Sequence, residues 1–500
     1  MHFLKKLEKV SKNIVLILGL MFLAIFFILN LFYAATVENY AEHVVLAKTT
    51  SIEFVISIVI AIMFIVAIKK KKKINLKVNK KAIILIFLIL YVIVCVKWIK
   101  FANIQPVDDA KSVNDLAIAL SKGDIEAIKS DKYIEKYPHQ IGMVTVFAVL
   151  YKIFNTTDYH LIQYLNIVAN IFTILGMYEI IKKMKFNKIA YFILSFTFIP
   201  FILLTTYVYG DYIGLAFAVW GVYFIIKYEK EHKIIYILTS AILMLLAYIT
   251  KMNYIIFTIA IAAYMFLYLL QEKEVKKIVI KSGIIVLYLI ISILPFNIVK
   301  TYANKKLEYD PKQAIPTSVF IYIGMSESPR EAGWYGPVAN DAWLDTSSAS
   351  EKYPKLIKQR VKEFLKSPIY ACKFYARKTI SGWSDPYFQS IWYNVGKENK
   401  DEIMARILAG RKFNYGKIYQ KAILILVFGG TFYAFWKNRK KLNNEMALFL
   451  IILIGGFLFH TIWEIKSRYV MPYVIMLIPM ASIGIEELIN VLDKLKKEER

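Results

Sequence analysis

Two adjacent carboxylates, Asp108 and Asp109, follow the third apolar block of the chain in the run Gln105-Pro-Val-Asp-Asp-Ala-Lys111. One member of such a pair can take a proton from an attacking hydroxyl while the other holds a substrate or a cation. The pair has the chemistry to hold Mg²⁺ or Mn²⁺, although nothing in the sequence demands a metal and no other cofactor is indicated. The plainer expectation is a solvated helix start, where Asp caps free amides and complements the dipole. Asp211 follows Tyr207-Val-Tyr-Gly210 and opens a later apolar block, where a helix cap is again the plain expectation. Lys251 stands alone in the short connection Thr250-Lys-Met-Asn253; it suits a phosphate as a point charge, or snorkels to the interface. Near the C-terminus comes Trp463-Glu-Ile-Lys-Ser-Arg-Tyr469, followed by Pro472. Glu464 and Arg468 are spaced to pair if this turn is helical, and its basic groups suit a phosphate or anchor the chain at a membrane surface.

His139, in Tyr137-Pro-His-Gln140, has proton-transfer or hydrogen-bonding chemistry. The remaining histidines are scattered and form no metal-ligand set. Trp334 and Tyr335, in Gly333-Trp-Tyr-Gly336, are candidates to contact a sugar ring; packing or an interfacial aromatic belt explains them equally well. The later stretches Ser381-Gly-Trp-Ser-Asp-Pro-Tyr387 and Ile391-Trp-Tyr393 are aromatic in the same way. No Walker sequence, GxSxG elbow or CxxC pair occurs, which argues against an ATPase, a serine hydrolase and a zinc–cysteine site.

The elements that must position these residues are hydrophobic. Of 500 residues 58% are hydrophobic, and the mean hydropathy is +0.49. The excess lies in blocks near 13–36, 52–69, 81–100, 158–181, 189–207, 212–227, 234–250, 254–270, 278–298, 419–436, 445–463 and 469–490. A bilayer span needs roughly 20 such residues. These blocks predict an all-α polytopic membrane protein of about twelve transmembrane helices. The shorter block 139–154 makes a partial helix that enters and returns or lies in the interface. The first block has too long an apolar core for a cleaved leader and is expected to be retained.

Basic clusters at Lys5–Lys12, Lys69–Lys81, Lys182–Lys188, Lys227–Lys233, Lys273–Lys281, Lys437–Lys441 and Lys494–Arg500 fall at alternate connections. The positive-inside rule puts them, and both termini, in the cytoplasm. The net charge of +27 is therefore read as orientation and membrane-lipid contact, with no nucleic acid partner. Two cysteines exclude a disulfide framework. Five regions result: N-terminal spans 1–100; a first outer loop with the acidic pair and partial helix, 101–157; central spans 158–298; a large extracytoplasmic loop region, 299–418; and C-terminal spans with a tail, 419–500. Surface helices are expected over Ser112–Ala127 and Pro354–Leu365.

In order and placement these motifs resemble the membrane glycosyltransferases of the GT-C fold that use polyprenyl-phosphate sugars. That class includes protein O-mannosyltransferases, aminoarabinose transferases and Gram-positive cell-wall glycosyltransferases. The similar places are Asp108-Asp109; Tyr137-Pro-His-Gln140 with Gly142; Asp211; Glu464, Arg468, Tyr469 and Pro472; and Ile321-Tyr-Ile-Gly-Met325 through Tyr335. The sequence departs from the class in having Asp-Asp where many members have Asp-Glu, in lacking a His-Pro-Pro order, and in two extra early spans. The resemblance implies inverting transfer of a sugar from a polyprenyl-phosphate (undecaprenyl-phosphate) donor to a cell-wall glycopolymer or glycolipid acceptor on the outer face. Asp109, with Asp108 close behind, becomes the general base. Lys251 and Arg468 become the donor-phosphate site, with Glu464 orienting Arg468. His139, Asp211, Trp334 and Tyr335 become substrate contacts. A polysaccharide polymerase or ligase, and a lipid-linked glycan transporter, are the alternatives.

Overall fold

The computed structural model describes residues 2–38, 42–73, 80–183, 189–395 and 411–498. Among them ten helices are long and apolar enough to cross a membrane, from Phe3–Phe32 to Ser467–Leu495. The pair Ile189–Thr197 and Pro200–Thr206, bent by 54°, makes an eleventh if it is one span. The expectation of about twelve also counts Ile234–Thr250, an apolar helix of 17 residues. The chain is thus an all-α polytopic membrane protein, apart from one hairpin among the described residues. The last helix packs along Arg411–Lys437 at the centre of the bundle. Val275–Lys306 lies at the periphery, with Val279, Ile290 and Ile298 exposed.

The partial helix is Ile141–Ile153, 13 residues long. At 1.5 Å per residue it reaches about 20 Å, short of a hydrocarbon core of roughly 30 Å. It packs through Val144, Phe147 and Tyr151 onto the helix Asp108–Lys122, which contributes Val113, Leu116 and Ala117. That helix was expected over Ser112–Ala127. It ends earlier because Gly123 takes the left-handed conformation (φ 76°) that closes a helix, and Asp124 then caps a new one, Ile125–Ser130.

Two further expectations change. The first span stops at Phe32, and Tyr33–Glu38 pairs antiparallel with His43–Lys48, where Thr36, Val37, Val44 and Val45 favour extended backbone. The hairpin docks by main-chain bonds from Ala35 N to Ser384 O (2.9 Å) and from Val44 N to Arg330 O (3.1 Å). Secondly, the region between Lys306 and Arg411 is mainly helical where described: Thr317–Gly324, Pro337–Leu344, Thr346–Lys366, Pro368–Trp383 and Ser390–Val395. The amphipathic helix expected at Pro354 begins at Thr346, where Asp345 accepts from Ser348 N (3.0 Å) and caps it.

The bent pair leaves main-chain carbonyls unmatched at membrane depth, where no water substitutes. The helix His160–Lys183 satisfies them with one polar stripe. Gln163 donates to Ile104 O and Thr206 O, Asn166 to Thr205 O and Tyr207 O, and Asn170 to Phe201 O and the Tyr91 hydroxyl. Replacing Asn170 with Leu removes one of two donors to the Phe201 carbonyl, leaving the Tyr91 hydroxyl (2.9 Å), and is expected to cost about 0.5–1.5 kcal/mol. Thermal unfolding of the purified variant in detergent checks this; an unchanged midpoint would mean that the bend does not depend on these amides.

Candidate functional site

Asp211 begins the helix Asp211–Glu231 and is buried. Its two carboxylate oxygens take two different cations. Arg468 Nη1 lies 2.7 Å from Oδ2, and Lys251 Nζ donates to Oδ1. Lys251 sits in the non-helical link between Ile234–Thr250 and Met252–Tyr254, and Arg468 begins the last helix. Gly210 permits this approach, because a Cβ there would lie 2.4 Å from Thr250 O. Arg468 also donates Nε to the Tyr393 hydroxyl (3.0 Å), and its guanidinium lies 4.6 to 5.4 Å from the rings of Tyr207, Tyr393, Tyr469 and Tyr209. Such rings offer a cation their negative faces. Burial lowers the Lys251 ammonium to about 8, with Asp211 opposing the shift and Arg468 adding to it.

The residues just before Arg468 are held as firmly. Glu464 N donates to Phe320 O (3.2 Å) and Ile465 N to Gly333 O (2.9 Å). Lys466 donates to both oxygens of Glu42 (2.8 and 3.1 Å), which also accepts from Arg330 and from Gln389 Nε2 (2.7 Å). Burial works against the Glu42 charge, but Lys466 and Arg330 hold its carboxyl below the ordinary value. Ser467 Oγ donates to Asp385 (2.6 Å), whose carboxylate also accepts from the main-chain N–H groups of Tyr387 and Gln389. Beneath them, Lys378 donates to the carbonyls of Gly324, Thr461 and Trp463. Three consecutive side chains, 466 to 468, are therefore anchored on carboxylates from three distant parts of the chain.

Above this lattice a cleft of about 180 Å³ is lined by His139, Gln140, Tyr209, Lys251, Asn253, Thr317, Phe320, Trp463, Glu464 and Tyr469 among others. The expected Glu464–Arg468 pair is not formed. The segment 464–466 is not helical, so the spacing does not bring them together, and Arg468 goes to Asp211 instead. Burial pushes the Glu464 carboxyl up to about 7; Lys466 opposes this, while Glu42 and Asp109 add to it. His139 lies in the cleft wall and is pushed down to about 4 by burial and by Lys300.

Asp108 and Asp109 are exposed at the start of their helix, with Asp108 at φ 50°. The Asp109 charge acts on Glu464, Tyr137, Tyr209 and Tyr335, so it lies near them, although it is not among the residues that line the cleft. Among the described residues no group of three or more His, Cys, Asp or Glu side chains is arranged to hold a metal ion. Tyr335 is half-buried between Arg330 and Lys466. Trp334 does not reach the cleft: it is buried, with its indole N–H on Ser381 Oγ (2.8 Å).

Sequence reasoning missed Glu42, Arg330, Asp385, Ser467 and Gln389. Their signal was weak: a single Glu in a short connection, and an Asp inside a stretch noted for its aromatics.

The fold and this buried polar end define a multi-pass integral membrane protein. Residues 9–489 match the family described as conserved hypothetical integral membrane protein, and the chain belongs to that family. No curated protein matches the sequence.

Neutralising Asp211 leaves two cations buried together. Asp211→Asn is expected to cost about 3–5 kcal/mol, and the double variant Asp211→Asn with Lys251→Met to recover part of the loss. Unfolding of both variants and of Lys251→Met alone in detergent is the measurement; a double-variant loss equal to the sum of the two single losses would show that the two groups are not coupled.

Proposed function

We propose that the chain is a membrane glycosyltransferase. It moves a sugar from a polyprenyl-phosphate donor to a cell-envelope acceptor on the outer face of the membrane, with inversion. The observation that carries this reading is the cleft lined by both Lys251, backed by the buried Arg468, and Glu464, on which the Asp109 charge acts. Arg468 and Lys251 share one carboxylate, so the cluster keeps an excess positive charge that an anionic ligand can meet. The basic clusters on the opposite connections support an outward orientation of this end by the positive-inside rule.

In this reading Asp109 accepts the proton of the acceptor hydroxyl as its oxygen attacks the anomeric carbon. The bond from that carbon to the phosphate oxygen breaks, and the lipid phosphate leaves with both bonding electrons. Lys251 meets the charge that develops on the leaving group. Arg468, enclosed by Asp211 and four tyrosines, acts through the field and by fixing Asp211. Direct displacement inverts the anomeric centre. The energy resides in the donor's phosphate ester, which suits a chain without a nucleotide motif. A transporter reading calls for charges along a path through the spans. The clusters at Asp211, Glu42 and Asp385 lie instead at span ends and in the connections between spans.

Purified protein in nanodiscs is tested with a panel of undecaprenyl-phosphate sugars and a cell-wall acceptor fraction. Asp109→Asn is expected to lower transfer by about 10²–10⁴-fold with folding intact. Undiminished transfer in the variant removes Asp109 as base, and no transfer by the wild type from any donor removes the transferase reading. The ammonium form of Lys251 is present below its value of about 8 and is lost as pH rises through it. Affinity for undecaprenyl phosphate is therefore expected to fall above about pH 8, and Lys251→Met to abolish that dependence. A pH-independent affinity in the wild type would exclude Lys251 from phosphate binding.

A further inference from the structure

Among the described residues the main buried charges at this end of the bundle are ion-paired or hydrogen-bonded within the protein, with one exception. Asp211 has two cations, Glu42 has two cations and an amide, Asp385 has a hydroxyl and main-chain amides, and Lys378 has three carbonyls. Glu464 is only 5% exposed, yet among the described residues no hydrogen bond or ion pair reaches its carboxylate. Its main chain is fully engaged: the amide donates to Phe320 O, and its carbonyl lies 3.1 Å from His460 Nδ1. The residue is thus held in place by its backbone, and it helps to line the cleft with a carboxylate that no other side chain engages among the described residues.

A buried carboxyl without partners is costly, and natural proteins keep such groups where something else completes them. The cleft defines what that partner is. Lys251 on its wall suits an anionic oxygen, and Gln140, Asn253 and Thr317 add neutral polar groups. At about 180 Å³ it is smaller than the sites of drug-sized ligands, and admits one ring rather than a chain of sugars.

We propose that Glu464 is the sugar-recognising residue of the cleft, its carboxyl taking hydroxyl hydrogens from a single monosaccharide ring whose phosphate lies against Lys251. This rests on the reading of the cleft as a lipid-linked sugar phosphate site, and it assigns to Glu464 a ligand contact in place of the orienting role that the sequence spacing implies. A carboxyl raised to about 7 by burial both donates and accepts near neutrality, which matches a hydroxyl better than an ammonium group.

Two measurements on the full-length protein in nanodiscs test it. The first needs no ligand. Removing an unpaired buried charge should not destabilise the fold, so Glu464→Gln is expected to melt at or above the wild-type temperature; a midpoint lowered by several degrees would make Glu464 a structural group and overturn the proposal. The second compares binding of undecaprenyl phosphate with that of undecaprenyl-phosphoryl hexoses. The wild type is expected to favour at least one hexose-bearing lipid by about tenfold, and Glu464→Ala to lose that preference while still binding plain undecaprenyl phosphate. A preference that survives in Glu464→Ala overturns the proposal, as does a wild type that favours amine-bearing sugars over hydroxyl-only ones. A wild type that binds plain undecaprenyl phosphate but shows no sugar preference overturns this inference alone. A wild type that binds neither removes the lipid-phosphate reading as well.

Discussion

Asp211 accepts from Lys251 and Arg468 at a largely buried end of the bundle, and the three residues come from three segments far apart in sequence. Taking each charge out of water costs several kcal/mol, and their mutual attraction offsets this only when all three are in register. The cluster therefore acts as a geometric condition more than as a source of stability. It is met only if the helix from Asp211, the link at Lys251 and the last helix from Ser467 end at one level. The tyrosines around Arg468 extend the condition to Tyr207, Tyr209 and Tyr393, and hence to the bent span and to the helix Ser390–Val395.

The same logic governs the neighbouring residues. Lys466 and Ser467 find Glu42 and Asp385, so the hairpin and the end of Pro368–Trp383 are tied to the strand-like stretch that enters the last helix. Main-chain bonds from Glu464 to Phe320 and from Ile465 to Gly333 complete the hold. A stretch fixed at five successive residues has little freedom to move when a ligand arrives. A ligand of the proposed kind would meet Glu464 and Lys251 preorganised, and preorganisation is what gives fixed charges their effect on a developing charge.

Much of this was legible in the sequence, but as separate residues. Asp211, Lys251, Glu464 and Arg468 each stand out as charges at the edge of apolar blocks, and the structure gathers all four. What the sequence does not display is who pairs with whom. The spacing of Glu464 and Arg468 suggests a helical pair only while the turn is assumed helical; the last helix starts at Ser467, and the distant Asp211 takes the arginine instead. Trp334 looked like a ring platform because its neighbours are Gly and Tyr, yet it is buried with its N–H on Ser381. Glu42 was hidden because a lone Glu in a short connection carries no periodicity. Gly123 could have been read as a helix end from its type alone, and the longer apolar stripe masked it.

The polar groups inside the spans follow a different rule from those at their ends, and the difference explains how the site is placed. Within His160–Lys183 the polar stripe is made of amides, which satisfy carbonyls without a charge to desolvate. Hydropathy averages over such a helix and reports only a span. Yet Gln163 and Asn166 hold the carbonyls of residues 205 to 207, directly before Tyr209 and Asp211. Asn394, beside Tyr393, takes Thr206 and Leu203 from the other side. The amides thus fix the broken end of one span, and that end carries Asp211 to its cations. Neutral groups set the geometry at this depth, and the charged clusters of Asp211, Glu42 and Asp385, costly to bury, gather where helices end.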